Sequence, residues 1–185
     1  MISPYESVYI FALGGSGTTL GIIAASQMLL STLIRVPGGY IADRYGRRRI
    51  IGVAIIASGA GYLFYVYARN WIWLIPGALI LSIKDLAVPA TEAIKVDSIN
   101  PENRGRGYSL INTLPDILAL FAPALGGYFV VDNAAEYGIS LSGVRSVYIA
   151  VFIGVVLTGL IRLFYLKDVI EPENLEEGGV LYVKY

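Results

Sequence analysis

The chain has 185 residues, 56% hydrophobic and 15% charged, where a soluble domain carries roughly 25% charged residues. Its 14 basic and 14 acidic side chains cancel, so their clustering between long apolar runs matters more than their sum, and it points to a polytopic membrane protein. The chain has no cysteine and no histidine, which excludes disulfides, imidazole metal sites and histidine general bases; no metal or cofactor is expected.

In chain order, Met1 to Gly14 is too short to span a bilayer, which takes about 20 residues. Tyr5, Tyr9 and Phe11 suit an interfacial segment, so residues 1–17 are read as an amphipathic, extracytoplasmic lead-in rather than a functional lid. Glu6 and the lack of a basic n-region argue against a cleavable signal peptide. The first span is expected at about 18–42, with an apolar body from Leu20 to Leu33 and Arg35 near its far end. The second, 50–68, lies uncharged between Arg49 and Arg69; Ala57 and Gly61 give it a small-x-x-x-small spacing.

The third span, 71–93, begins at Trp71 and Trp73 and is the most polar, with Lys84, Asp85 and Glu92. Pro76-Gly77 and Pro89 are candidate kinks in it. A turn-rich polar stretch from Asn100 to Gly107 leads to the fourth span, 108–131, which holds Asp116 directly after Pro115. A polar loop with Glu136 follows, then a fifth span at 144–166 and an acidic tail at 167–185.

Lysine and arginine sort by side. Nine (Arg44, Arg47, Arg48, Arg49, Lys95, Arg104, Arg106, Arg162, Lys167) fall at one set of ends, and two (Arg69, Arg145) at the other. The basic side is therefore expected in the cytoplasm of a cell-membrane protein, with the N-terminus outside and the C-terminus inside. That arrangement needs an odd number of spans, and five fits.

Between the first two spans stands Pro37-Gly38-Gly39-Tyr40-Ile41-Ala42-Asp43-Arg44-Tyr45-Gly46-Arg47-Arg48-Arg49. Asp43 would sit at the negative end of one helix and Arg47, Arg48 and Arg49 at the positive end of the next, each unfavourable by roughly 0.3–1 kcal/mol. Either the positive-inside bias or charged partners elsewhere must favour them. The spacing Gly-x-x-x-Asp-Arg-x-Gly-Arg-Arg, Gly39 to Arg48, resembles the signature loop between the second and third helices of the major facilitator superfamily. Arg104-Gly105 resembles that family's second cytoplasmic loop. Ala122-Pro123-Ala124-Leu125-Gly126-Gly127 resembles a Gly-Pro-x-x-Gly-Gly element of helix five, with alanine in place of its first glycine. Lys84 lies where some members carry an arginine linked to proton coupling.

The resemblance implies an all-α fold, in which five transmembrane helices correspond to helices two to six of the six-helix N-terminal half. Helix one and the second half are expected to lie outside these 185 residues, and both are expected partners in completing a solute path. It further implies a conformational latch at Gly39, Asp43, Arg44, Gly46, Arg47 and Arg48, and a helix-packing element at Pro123, Gly126 and Gly127. Topology and lipid-phosphate contact alone would account for the arginines but not for Asp43 or the glycines.

Lys84, Asp85 and Asp116 are ionisable residues within spans, and so are candidates for binding a solute or a coupling proton. Lys84 and Asp116 lie at similar depths, and a mutually neutralising structural pair between them is the competing reading. Arg35 either snorkels to the interface, the simpler reading, or pairs with a carboxylate of the third span. The implied activity is secondary transport of a small solute through a lipid bilayer by alternating access. The rivals are a truncated fragment, a non-transporting scaffold, or a membrane-embedded enzyme. The last is disfavoured by the lack of a nucleophile motif or metal-ligand cluster. Nucleic-acid binding by so short a basic loop is not expected.

Overall fold

The computed structural model describes residues 4–121, 123, 125, 127, 130 and 140–166, and among these every regular element is helical. Gly126, Glu136 and the acidic tail at 167–185 lie outside the described residues. Helix α1 covers Pro4–Ala12, α2 Gly17–Tyr45, α3 Arg47–Val66, α4 Leu74–Leu81, α5 Val88–Asp97, α6 Arg104–Ala119 and α7 Leu141–Tyr165. Among the described residues four segments are long and apolar enough to cross a membrane: Gly17–Tyr45, Arg47–Val66, Trp71–Asp97 and Leu141–Tyr165.

Segment α1 packs one side against the other helices. Tyr9 and Ile10 are fully buried, in one cluster with Ile23, Tyr65, Leu74 and Val144. The Tyr9 hydroxyl donates to the Tyr65 carbonyl at 2.8 Å, which gives the buried phenol its partner. Gly14 then turns the chain at φ 81°, and Ser16 caps α2 through a reciprocal pair with Thr19.

Helix α2 continues past the expected boundary to Tyr45, and α3 starts at Arg47 rather than at residue 50. The joint between them is a single residue, Gly46, at φ 93° and ψ 127°, a conformation that side chains disfavour. Asp43 and Arg44 therefore occupy the last turn of α2, and Arg47 and Arg48 the first turn of α3.

The helices cross closely where glycines remove side-chain bulk. On α3, a Cβ at Gly52 would stand 2.8 Å from the Leu163 Cβ of α7, and one at Gly159 on α7 would stand 2.5 Å from an Ile56 carbon. On another face of α3, Gly61 meets Gly77 of α4, where a Cβ would come within 2.7 Å of the Gly77 carbonyl oxygen. Of the Ala57–Gly61 pair read in the sequence, Gly61 packs on α4 and Ala57 is exposed, while Gly52 and Gly59 are turned to α7.

The third span is not one uniform helix. A 3₁₀ turn at Trp71–Trp73 opens it, and α4 follows with Pro76 in its first turn, where proline is tolerated. A six-residue 3₁₀ stretch, Ser82–Ala87, then separates α4 from α5, whose first turn holds Pro89. Pro89 has no N–H for the Asp85 carbonyl; the Val88 N–H takes its place in the tighter pattern. Lys84 and Asp85 lie within this interruption.

Candidate functional site

A cavity of about 770 Å³ opens between α1, α2, α3, the third span and α7. On α2 its lining recurs at Ala24, Gln27, Met28, Ser31, Thr32 and Arg35, the spacing of one helical face. These positions extend ~16 Å along the helix. The stripe is polar at Gln27, Ser31, Thr32 and Arg35 inside a segment otherwise apolar enough to span a membrane. Sequence reading passed over it, because the apolar run from Leu20 to Leu33 dominates the window; its signal was polar residues at i, i+4, i+5 and i+8.

Asp85 is the centre of one end of the cavity. Ser31 donates to its Oδ2 at 2.5 Å, and an Arg35 Nη2 lies 3.6 Å from its Oδ1. Arg35 thus pairs with a carboxylate of the third span instead of snorkelling alone, because the 3₁₀ stretch brings Asp85 against α2. Gly38 makes that approach possible: a Cβ there would stand 2.4 Å from the Leu86 carbonyl oxygen. Lys84 lines the same cavity. It makes no ion pair with Asp116, which is exposed on α6; among the described elements that helix rests on α5. Matching depths in two spans did not bring the side chains together: among the described residues, the side-chain hydrogen bonds that join α6 to α5 lie near its first turns. There Glu92 accepts from Tyr108 at 2.5 Å and from Lys95 at 2.8 Å, and Lys95 also donates to Asn112 at 3.0 Å.

At the other end of the cavity stand Glu6 of α1 and three tyrosines, Tyr62, Tyr65 and Tyr148. Tyr65 donates to Glu6 Oε1 at 2.7 Å. The ring centroid of Tyr148 lies 5.0 Å from that of Tyr65 and 6.2 Å from that of Tyr62, within the range of favourable tilted aromatic pairs. In the sequence Tyr62 and Tyr65 read only as interfacial aromatics, and nothing there joins them to Glu6 and Tyr148 at one cavity. Tyr5 beside them donates to the Pro123 carbonyl, and its hydroxyl oxygen is 2.9 Å from where a Gly127 Cβ would be.

The signature stretch resolves the electrostatic puzzle its sequence poses. Arg47 donates to Asp97 Oδ2 at 2.8 Å, and its Nε lies 3.4 Å from Asp43 Oδ1. Arg48 donates from Nε to the Leu163 carbonyl at 2.5 Å and from Nη2 to the Phe164 carbonyl at 3.1 Å. It therefore satisfies carbonyls at the C-terminus of α7, where a positive charge is favourable. The guanidinium of Arg44 sits 5.6 Å from the Tyr45 ring centroid. A Cβ at Gly39 would make only ordinary contact, 3.7 Å from Pro89. The glycine that close packing requires is Gly38, one residue before the motif begins.

The sequence model of the Major Facilitator Superfamily matches residues 1–180. The MFS-type transporter YqjV of Bacillus subtilis is 29% identical over 131 residues, 70% of this chain and 32% of its own. A Na⁺, Li⁺, K⁺/H⁺ antiporter of Planococcus maritimus is 27% identical over 184 residues, 96% of this chain and 41% of its own. The quinolone resistance protein NorA of Staphylococcus aureus is 21% identical over 129 residues, 69% and 33% respectively. The chain thus spans less than half the length of these curated relatives. No solved structure is significantly similar to it.

Proposed function

Because the chain belongs to the major facilitator superfamily, we propose that it forms part of a secondary transporter that moves a small solute across the cell membrane by alternating access, without covalent chemistry. The observation that carries this reading is the cavity itself, about 770 Å³, lined by Arg35, Lys84 and Asp85 within membrane-spanning segments. Ionisable groups at such depth are costly, and they normally face a solute or proton path. The names of two relatives, a cation/proton antiporter and a quinolone resistance protein, support solute movement in general, and they differ in the solute.

Asp85 and Lys84 are the coupling pair of this reading. Protonation of Asp85 or its engagement by a solute would weaken the Arg35 pair, and the 3₁₀ stretch gives that change a place to act. Asp116 joins the path only with groups from outside the described residues. Gly39, Asp43, Arg44, Gly46, Arg47 and Arg48 form the latch. Gly46 joins the two helices, Arg47 of α3 reaches both α2 and α5, and Arg48 holds α7, so a change at this end acts on four spans together. Pro123 and Gly127 pack on Tyr5 of α1, as a helix-packing element would. The latch end faces the cytoplasm in this reading, and its work requires a second six-helix half.

The test is flux in proteoliposomes carrying a pH-sensitive dye inside, with Na⁺, Li⁺, K⁺ or an organic cation added outside. Solute-dependent proton movement is expected from the protein together with its complementary half and not from the Asp85→Asn variant. Equal flux from the variant would sink the coupling role, and a lack of flux with every solute would sink the transport reading.

A further inference from the structure

The geometry points to a cation-recognition site at the Glu6 end of the cavity, built for an organic ammonium with alkyl or aromatic substituents. The inference rests on the transport reading only in taking the cavity as a place where a solute sits. Three observations converge on it. First, Glu6 is a carboxylate lining the cavity, fixed by a 2.7 Å hydrogen bond from Tyr65. Second, Tyr62, Tyr65 and Tyr148 line the same end, with Tyr148 between the other two at centroid distances of 6.2 and 5.0 Å. Third, of the four charged residues that line the cavity, Arg35 and Lys84 stand with Asp85 on the segments that form its opposite end, so the lining carries a net negative charge only at the Glu6 end.

Each part has a chemical role. Aromatic faces carry negative quadrupole density, and a weakly hydrated ammonium gains from several of them at once. The carboxylate supplies the net charge that rings lack. Tyr62 and Tyr65 are three residues apart on α3 and therefore share a face, and Tyr148 is brought in from α7. Tyr65 is itself pinned, since its ring is buried and its carbonyl accepts from Tyr9 at 2.8 Å. The site thus stands on three helices, α1, α3 and α7, and it is preorganised by bonds that do not involve the ligand. A small alkali ion would find a single carboxylate and phenol oxygens here. A substituted ammonium would also use the rings.

The experiment is direct binding by calorimetry on the purified protein in detergent, with benzyltrimethylammonium as the probe and benzenesulfonate as its charge-reversed counterpart. Saturable binding of the cation and none of the sulfonate is expected. Glu6→Gln should weaken the cation at least about tenfold. Tyr148→Leu should weaken it severalfold, whereas Tyr148→Phe, which keeps the ring, should hold it within about threefold. Tyr62→Leu repeats the ring test should Glu6→Gln fail to fold. Equal binding of the sulfonate, or unchanged cation affinity in both Glu6→Gln and the leucine variants, would overturn the proposal. Because the readout is binding, it separates from flux: cation binding without transport sinks only the transport reading, and transport without cation binding sinks only this one.

Discussion

Arg47 donates to Asp97 across 2.8 Å, and this contact ties the first turn of α3 to the last turn of α5. Both side chains are partly exposed, at 20% and 38%, so the pair contributes on the order of 0.2–1 kcal/mol to stability. Arg47→Gln and Asp97→Asn should each lower the thermal transition slightly in detergent, and the double variant should fall little further. Losses that simply add would show that the two residues act independently. Asp43→Asn should cost less than Asp97→Asn, because its oxygen lies 3.4 Å from Arg47.

Adjacent glycines give a sharper contrast. Gly38→Ala places a methyl group 2.4 Å from the Leu86 carbonyl oxygen, whereas Gly39→Ala meets only Pro89 at 3.7 Å. Overpacking of the first kind costs about 1–3 kcal/mol, and the second substitution should be close to neutral. Gly46→Ala should also destabilise, by about 1–3 kcal/mol, since φ 93° is strained for alanine. Thermal unfolding of the three variants reads this order directly. A Gly39→Ala loss as large as that of Gly38→Ala would contradict the crossing described.

The tether of α6 is polar, and so is its test. Tyr108→Phe removes the 2.5 Å bond to Glu92 while keeping the ring. Hydrogen exchange should then rise over residues 104–112 and stay unchanged in α3 and α7. Exchange that rises uniformly would mean that Tyr108 supports the whole bundle rather than this one helix.

Much of this architecture was legible in the residues. Among the described residues, four of the five expected spans coincide with segments long and apolar enough to cross a membrane, and the Gly39–Arg48 spacing marked the family. Boundaries were less legible: Asp43 to Arg49 reads as a loop because it is polar, yet Gly46 alone breaks the helix. The Arg35–Asp85 pair was open between two readings, because nothing in the sequence says that a 3₁₀ stretch presents Asp85 to α2. Glu6 and Tyr148 are separated by most of the chain, and only tertiary packing brings them to one cavity. The Lys84–Asp116 pairing failed for a related reason, since equal depth does not decide which faces two helices turn to each other.

In the transport reading, the polar stripe of α2 lines a water-filled solute path, while the exposed apolar residues on its other faces, Leu29 among them, meet apolar surroundings. The chain has no cysteine, so a single introduced thiol reports its own position without background. Gln27 lines the cavity, whereas Leu29, two residues on, is exposed on a different face of the helix. Gln27→Cys in membranes should react readily with a charged, membrane-impermeant maleimide, and Leu29→Cys should not. Equal labelling of the two, or labelling of Leu29→Cys alone, would contradict the account.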